Sequence, residues 1–147
     1  MAAGSTYTPI ATTTLGSAQT TVTFNSFSGY TDLVLIIAGT VSGSGNTYIR
    51  FGNGSIDSGS NYSNTLLYGD GTSAASSRAS TQTRADLGNM YTSTQNVVVV
   101  NIMNYSNSTT YKTYLSRANS GANLVEASDG LWRSTAAITN IELSLLS

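Results

Sequence analysis

The apolar residues of this 147-residue chain fall into short blocks, and turn-forming residues separate one block from the next. None of these blocks has the length or spacing of an amphipathic helix, whereas short blocks rich in β-branched and aromatic residues are typical of β-strands. We predict strands at Tyr7–Ala11, Thr20–Phe24, Leu33–Val41, Thr47–Phe51, Thr65–Tyr68, Gln95–Tyr105, Thr110–Arg117, Asn123–Ala127 and Ile138–Leu146.

The connections between these strands carry the residues that tight turns require. Three of them, at 42–46, 52–54 and 69–71, contain Gly together with Asn, Asp or Ser, which tolerate positive φ angles. The stretch Thr72–Asp86 is rich in Ser and Ala and is predicted to be a long loop or one short helical turn. About nine short strands with such turns favour a β-sandwich or barrel, and the length fits one domain over residues 1–147.

Two strand blocks are continuously apolar, while the C-terminal block alternates. Leu33–Ile37 and Val97–Val100 have no polar residue, which is typical of central strands covered on both faces. In the C-terminal block, Ile141, Leu143 and Leu145 alternate with polar residues, as in a strand with one buried face.

The absence of His and Cys excludes imidazole and thiol chemistry, disulfides and Cys-based metal sites. The only lysine, Lys112, is the only available partner for a Ser–Lys hydrolase, and we expect it to face solvent from its strand. We therefore predict that the protein is not an enzyme and that it has no cofactor.

The acidic residues do not form a convincing catalytic or metal-binding pattern. Glu126 and Asp129 are close in sequence, and a glycosidase would need two carboxylates about 5–9.5 Å apart. Segment Asn53–Asn61, with Asp57, offers oxygen ligands but lacks the dense acidic pattern of a calcium loop. We expect these acids to cap loops and pair with Arg, and we assign no catalytic, cofactor-binding or metal residue. The acidic residues are Asp32, Asp57, Asp70, Asp86, Glu126, Asp129 and Glu142.

Only 9% of the residues are charged, and the formal net charge is −1. The sequence therefore gives no electrostatic reason to expect binding to nucleic acid. No apolar segment is long enough to insert into a membrane, and residues 1–10 do not resemble a secretory signal. A surface this poor in charge indicates that much of it is buried in an assembly. The nine tyrosines and one tryptophan fit two alternatives, a packed interface or a sugar site.

Four segments of the chain resemble one family. The motif NYSNTLLYGDGTS at 61–73, the motif GLWRSTAAIT at 130–139, and the opening YTPI at 7–10 with YTDLVL at 30–35 are similar to small virion proteins of tailed bacteriophages, especially marine and cyanobacterial phages. The resemblance covers nearly the whole chain. It implies a jelly-roll-like antiparallel β-sandwich of about eight or nine strands, a homotrimer and no catalytic residues.

Family members usually continue beyond the strand that matches Ile138–Leu146, through a Gly-rich turn into a last strand. The sequence given stops at Ser147, so we expect an open sheet edge that a missing strand or a neighbouring subunit would complete. Within the second motif, we expect Trp132 to be buried and to anchor the loop before the last strand. We expect Arg133 to pair with an acid such as Asp129.

The resemblance implies a virion structural protein that is assembled in the host cytoplasm. We expect a capsid decoration (cement) protein that stabilises the head, because a tail fibre needs an attachment region and a stalk, which this sequence lacks. A tail-fibre or appendage receptor-binding protein and a carbohydrate-binding module remain the alternatives. The expected partners are the chain itself, the major capsid protein or other virion proteins, and a glycan on the host surface.

Overall fold

The computed structural model describes residues 7–121 and 124–146, and these residues contain only strands, turns and loops. There are eleven strands: β1 (Thr21–Asn25), β2 (Leu33–Gly39), β3 (Gly45–Asn53), β4 (Ser55–Ile56), β5 (Tyr62–Gly69), β6 (Ala74–Gln82), β7 (Ala85–Met90), β8 (Asn96–Ile102), β9 (Lys112–Asn119), β10 (Val125–Trp132) and β11 (Asn140–Leu146).

The strands form two antiparallel sheets that pack face to face. The five-stranded sheet has the order β1-β11-β3, with β4 and β7 both pairing with the remaining edge of β3. The six-stranded sheet has the order β2-β8-β9-β10-β5-β6. The chain crosses from one sheet to the other six times, after β1, β2, β4, β6, β7 and β10, as in a jelly roll. The predicted jelly-roll-like β-sandwich is confirmed, with eleven strands rather than eight or nine.

The prediction of a loop or helical turn at Thr72–Asp86 was wrong. Most of that segment is β6, which pairs along the whole of β5, and its last residues begin β7. Asp70 makes the turn between β5 and β6, because its Oδ1 accepts hydrogen bonds from the backbone N–H groups of Thr72 and Ser73 at 2.8 and 2.7 Å. Gly71 supplies the positive φ of 84° that this turn needs.

The predicted strand at Tyr7–Ala11 was also wrong. Residues 7–20, here called the N-terminal arm, form no strand and lie exposed along the side of the sandwich between β1 and β2. Leu15 of the arm shares a cavity of about 200 Å³ with core-facing residues of both strands, including Val22 and Ile37. Residues 1–6 of the segment tested for a secretory signal, and Asn123 of one predicted strand, lie outside the described residues.

The predicted open edge does not lie at β11. That strand has β1 on one side and β3 on the other, so both of its edges are paired. Strands β1 and β2 each have only one partner among residues 7–121 and 124–146. The sandwich is therefore open between β1 and β2, where the N-terminal arm lies.

Aromatic rings fill the middle of the core. Phe51 of β3 lies at its centre, with the ring of Trp132 at 5.9 Å, that of Tyr114 at 6.2 Å and that of Tyr62 at 6.5 Å. These separations lie in the range of favourable tilted or edge-to-face pairs. The Tyr62 hydroxyl donates to the backbone oxygen of Asp57 at 2.8 Å and accepts from the Phe51 N–H at 3.0 Å, so its polar end is satisfied inside the core.

Candidate functional site

Glu126 and Asp129 cannot act as a carboxylate pair. Residues three apart in a strand point to opposite faces, and β10 follows this rule: Glu126 faces the core and is 3% exposed, whereas Asp129 faces solvent. The structure thus separates the two acids that the sequence placed together.

Glu126 instead holds the edge of the facing sheet. Its carboxylate accepts hydrogen bonds from the backbone N–H of Asn89 and, at 2.9 Å, from the Asn89 side-chain amide. The contact is close because Gly88, at φ 111°, has no side chain, and an added Cβ would lie 2.7 Å from Oε2 of Glu126. A β-bulge in the β3–β7 pairing produces this local geometry.

Three further side chains from the six-stranded sheet bind the backbone of β7. The hydroxyls of Tyr114 and Ser128 donate to the oxygen of Asp86, at 2.7 and 2.9 Å, and that of Ser116 donates to the oxygen of Leu87, at 3.1 Å. An edge strand would otherwise expose unpaired groups to other chains. These buried polar residues therefore complete β7, and their role in the described structure is architectural.

The expectation that Lys112 faces solvent was wrong. Its side chain points into the core side of β9 and is 1% exposed, in alternation with the buried Tyr114 and Ser116. Its ammonium donates to the backbone oxygens of Thr110 and Thr135, at 2.8 and 3.1 Å. Burial lowers the pKa of Lys112 below its usual value. This lysine joins two loops at one end of the sandwich.

Asp57, the acid of the candidate metal segment, is held by donors of the protein itself. Its carboxylate accepts hydrogen bonds from the Gly59 N–H at 2.8 Å, the Asn61 amide at 2.9 Å and the Trp132 indole at 2.7 Å. Burial opposes its ionisation, but these hydrogen bonds outweigh it and lower the pKa of Asp57. Within residues 7–121 and 124–146, no three acidic residues gather as a metal site.

The two expectations for the second motif had different outcomes. Trp132 is 2% exposed and packs on Phe51, which confirms the expected burial. Its indole N–H donates to Asp57, so this side chain holds the 57–61 loop and not, as expected, the loop before the last strand. The predicted Arg133–Asp129 pair was wrong, because Arg133 donates to the Ser63 hydroxyl and to two backbone oxygens of the adjoining loop and strand. Both residues fasten the 57–61 loop to the end of β10.

The outer face of the six-stranded sheet carries several exposed large apolar side chains. Cross-strand registers place its residues in rows, one of which runs from Ile36 through Val99, Arg117 and Ala127 to Leu67. The large apolar residues exposed on this face, with their exposed fractions, are Val34 (38%), Ile36 (67%), Leu67 (59%), Leu115 (59%) and Val125 (63%).

This face is not flat. Ile36 stands at the β2 edge, whereas the small side chain of Ala127 leaves a depression of about 510 Å³ between Leu67 and Leu115. The expectation that β2 is covered on both faces was wrong for the single chain, because β2 is an edge strand with an exposed outer face. The face thus carries a projection and a depression in the same row.

The charges on this face are few and of both signs. Arg117 and Asp129 project from neighbouring strands, and Arg78 lies at the β6 rim. Among the residues that the structure describes, the only ion pair joins Arg50 and Glu142 on the other sheet. Covering the centre of the face would therefore bury one cation and one anion rather than a net charge.

A second surface feature is a groove between the N-terminal arm and β2. It has a volume of about 690 Å³, and Tyr7, Tyr30 and Asp32 are among its lining residues. Both tyrosines are exposed, while Asp32 Oδ1 accepts a hydrogen bond from the Asn104 N–H at 2.6 Å. Exposed aromatic faces beside a carboxylate are the kind of surface on which sugar rings stack.

Comparison with known proteins gives no relative: no protein-family model, curated protein or solved structure matches the chain. The described residues also include no helix that could cross a membrane. The outer face of the six-stranded sheet is therefore the main feature on which a functional argument can rest. In the sequence, this face is indicated by the continuous apolar run Leu33–Ile37. Such a run has apolar side chains on both faces of the strand, and this chain buries only the inner face.

Proposed function

We propose that this protein is a non-enzymatic structural protein of a bacteriophage virion, and that it decorates the capsid. The observation that carries the proposal is the apolar outer face of the six-stranded sheet. A chain that keeps Ile36, Leu67 and Leu115 exposed is suited to a place in an assembly, where neighbouring subunits cover them. The resemblance of the motifs at 61–73 and 130–139 to virion proteins supports the choice of assembly.

The proposed role is mechanical. A decoration protein sits across joints between capsid subunits and resists the outward pressure of the packaged genome. Such contacts depend on buried apolar area and on shape, which suits a chain with 9% charged residues. The proposed partners are further copies of this chain, as a homotrimer, and the major capsid protein. Assembly would take place in the host cytoplasm, and the final location would be the virion.

Copy number per virion tests this proposal against the tail location. Quantitative mass spectrometry of purified virions should give a copy number in the hundreds, because capsid joints are repeated over the whole shell. A count of about a dozen to a few tens would refute the decoration role, since tail appendages follow the low symmetry of the tail. Binding of the purified protein to empty capsids, with a raised capsid melting temperature, is the complementary measurement.

The groove of Tyr7, Tyr30 and Asp32 favours a second candidate, a tail-appendage protein or carbohydrate-binding module that recognises a host-surface glycan. Glycan-array binding by the wild type that is lost in Tyr30→Ala would support it. Tyr111→Ala is the matched control, because Tyr111 is similarly exposed but does not line the groove. Equal binding by the wild type and Tyr30→Ala would refute a sugar site in this groove.

A further inference from the structure

We infer that the outer face of the six-stranded sheet is the surface through which three copies of this chain pack around one another. The inference rests on the self-association part of the proposed function and assigns it to named residues. In this arrangement, Ile36 on β2 of one copy enters the depression over Ala127 of the next copy.

The available area supports a second copy as the occupant. The strands β2, β8, β9, β10 and β5 span a face of roughly 550 Å², from strand spacing and rise. One partner in a standard protein interface buries roughly 800 Å², so this face is of the same order as the area that a second copy would cover.

The shape of the face fits reciprocal contacts between copies. Ile36 projects at one side, and Ala127 lies three strands away, at about 14 Å, with the depression around it. A large residue opposite a small one is the arrangement by which packed layers interdigitate. The projection lies at the β2 edge and the depression lies three strands away, so each copy can offer one to its first neighbour and the other to its second.

The register of the sheet favours a closed ring. Ile36, Ala127 and Leu67 belong to one row that crosses the strands, so they lie at the same height along the strand direction. A rotation about an axis parallel to the strands then joins the projection to the depression without translation. Head-to-tail contacts with no translation close into a ring when the rotation between copies is a whole fraction of a full turn, which is 120° for three copies. Three sheets that face a common axis form such a ring.

The charges on the face agree with this arrangement. Arg117 and Asp129 are diagonal neighbours on β9 and β10, so either can pair within its own copy or with the adjacent one. Each copy contributes one cation and one anion to the central surface, and burial of the face isolates no unpaired charge.

Sedimentation of the purified full chain tests the inference. The wild type should sediment at about three times 15.3 kDa. Ile36→Lys, which puts a charge on the projection, and Ala127→Tyr, which fills the depression, should each sediment as monomers. Leu146→Lys is the matched control, because Leu146 is also an exposed aliphatic residue but lies on the outer face of the other sheet, and this variant should remain trimeric.

Circular dichroism should show the β-sheet spectrum of the wild type in all three variants, since each change is at an exposed position. Three results would overturn the inference: a wild type that is monomeric at high micromolar concentration, a wild-type dimer, or a trimer that persists in both Ile36→Lys and Ala127→Tyr. A monomer that still binds empty capsids would assign this face to the capsid instead, leaving the decoration role in place. A trimer that does not bind capsids would support the interface and refute decoration.

Discussion

Replacement of Trp132 by Ala should destabilise the protein strongly, because this residue connects the core to a loop. Its ring is almost fully buried against Phe51, and its indole N–H donates to the Asp57 carboxylate at 2.7 Å. Truncation of a buried Trp costs about 3–5 kcal/mol from lost transfer free energy and the remaining cavity. The lost hydrogen bond adds little, since Asp57 is half-buried and water can replace the indole there. We expect a total of about 4 kcal/mol.

The assay is thermal unfolding followed by circular dichroism at one fixed protein concentration, because self-association makes the melting temperature depend on concentration. For a domain of this size, 1 kcal/mol corresponds to about 2–4 °C, so the melting temperature should fall by about 8–16 °C. Trp132→Phe keeps most of the packing and removes the N–H, and it should lose about 1–2 kcal/mol. An unchanged melting temperature in Trp132→Ala, with loss of glycan binding, would refute the anchor role and move Trp132 to a ligand site.

Three further changes test other parts of the structure. Gly130→Ala should cost about 2–4 kcal/mol, because the new Cβ would lie 2.0 Å from Cε1 of Tyr114, and the displaced ring would lose its hydrogen bond to the backbone of β7. Glu126→Gln should cost about 1–3 kcal/mol, since an amide cannot accept both hydrogen bonds from Asn89. Because hydrogen bonds lower the pKa of Asp57 in the folded state, its stabilising effect is present above its ordinary pKa and is lost as pH falls through the folded value. The stability difference between the wild type and Asp57→Asn should therefore shrink in acid, as measured by urea unfolding at a series of pH values.

Matched variants separate these effects from nonspecific ones. Gly16→Ala meets no atom within 4 Å and should be neutral in the same melting experiment. Asp129→Asn changes an exposed acid on the same strand as Glu126 and should alter stability by less than about 0.5 kcal/mol. A Gly130→Ala protein as stable as Gly16→Ala would show that Tyr114 does not pack on Gly130. A pH-independent difference for Asp57→Asn would show that its carboxylate is not stabilised in the folded state.

The sequence predicts the sandwich well where large apolar residues mark the strands. The block Gln95–Tyr105 became β8 and the block Ile138–Leu146 became β11, with boundaries moved by at most three residues. Strand β6 was missed because Ala74–Gln82 has no large apolar residue. Its extended conformation comes from pairing with β5, and the pattern of apolar residues within Ala74–Gln82 does not predict that pairing.

Side-chain environments were harder to predict than strands. Lys112 is buried because it shares the inward face of β9 with Tyr114. The period-two spacing of these two residues is visible in the sequence, but lysines are usually exposed, so Lys112 was predicted to face solvent. Arg133 could not be assigned, since its acceptors are mainly backbone oxygens, which every residue carries. The run Leu33–Ile37 predicted the outer apolar face only in part. The run indicates that both faces of the strand are apolar, but it does not identify the partner that would bury the outer face.

The position of β11 determines the order in which this protein can fold during synthesis. Strands β1 and β3 are made early, but neither pairs with the other, because β11 lies between them. The five-stranded sheet therefore cannot close until residues 140–146 have left the ribosome. Until then, the edges of β1 and β3 that pair with β11 have no partner strand, and their apolar inner faces stay incompletely covered. The meander β8–β10 can form earlier, because its strands are neighbours in sequence. Folding of this chain is thus completed by a single late insertion, and a nascent chain that stalls before β11 would be prone to aggregate.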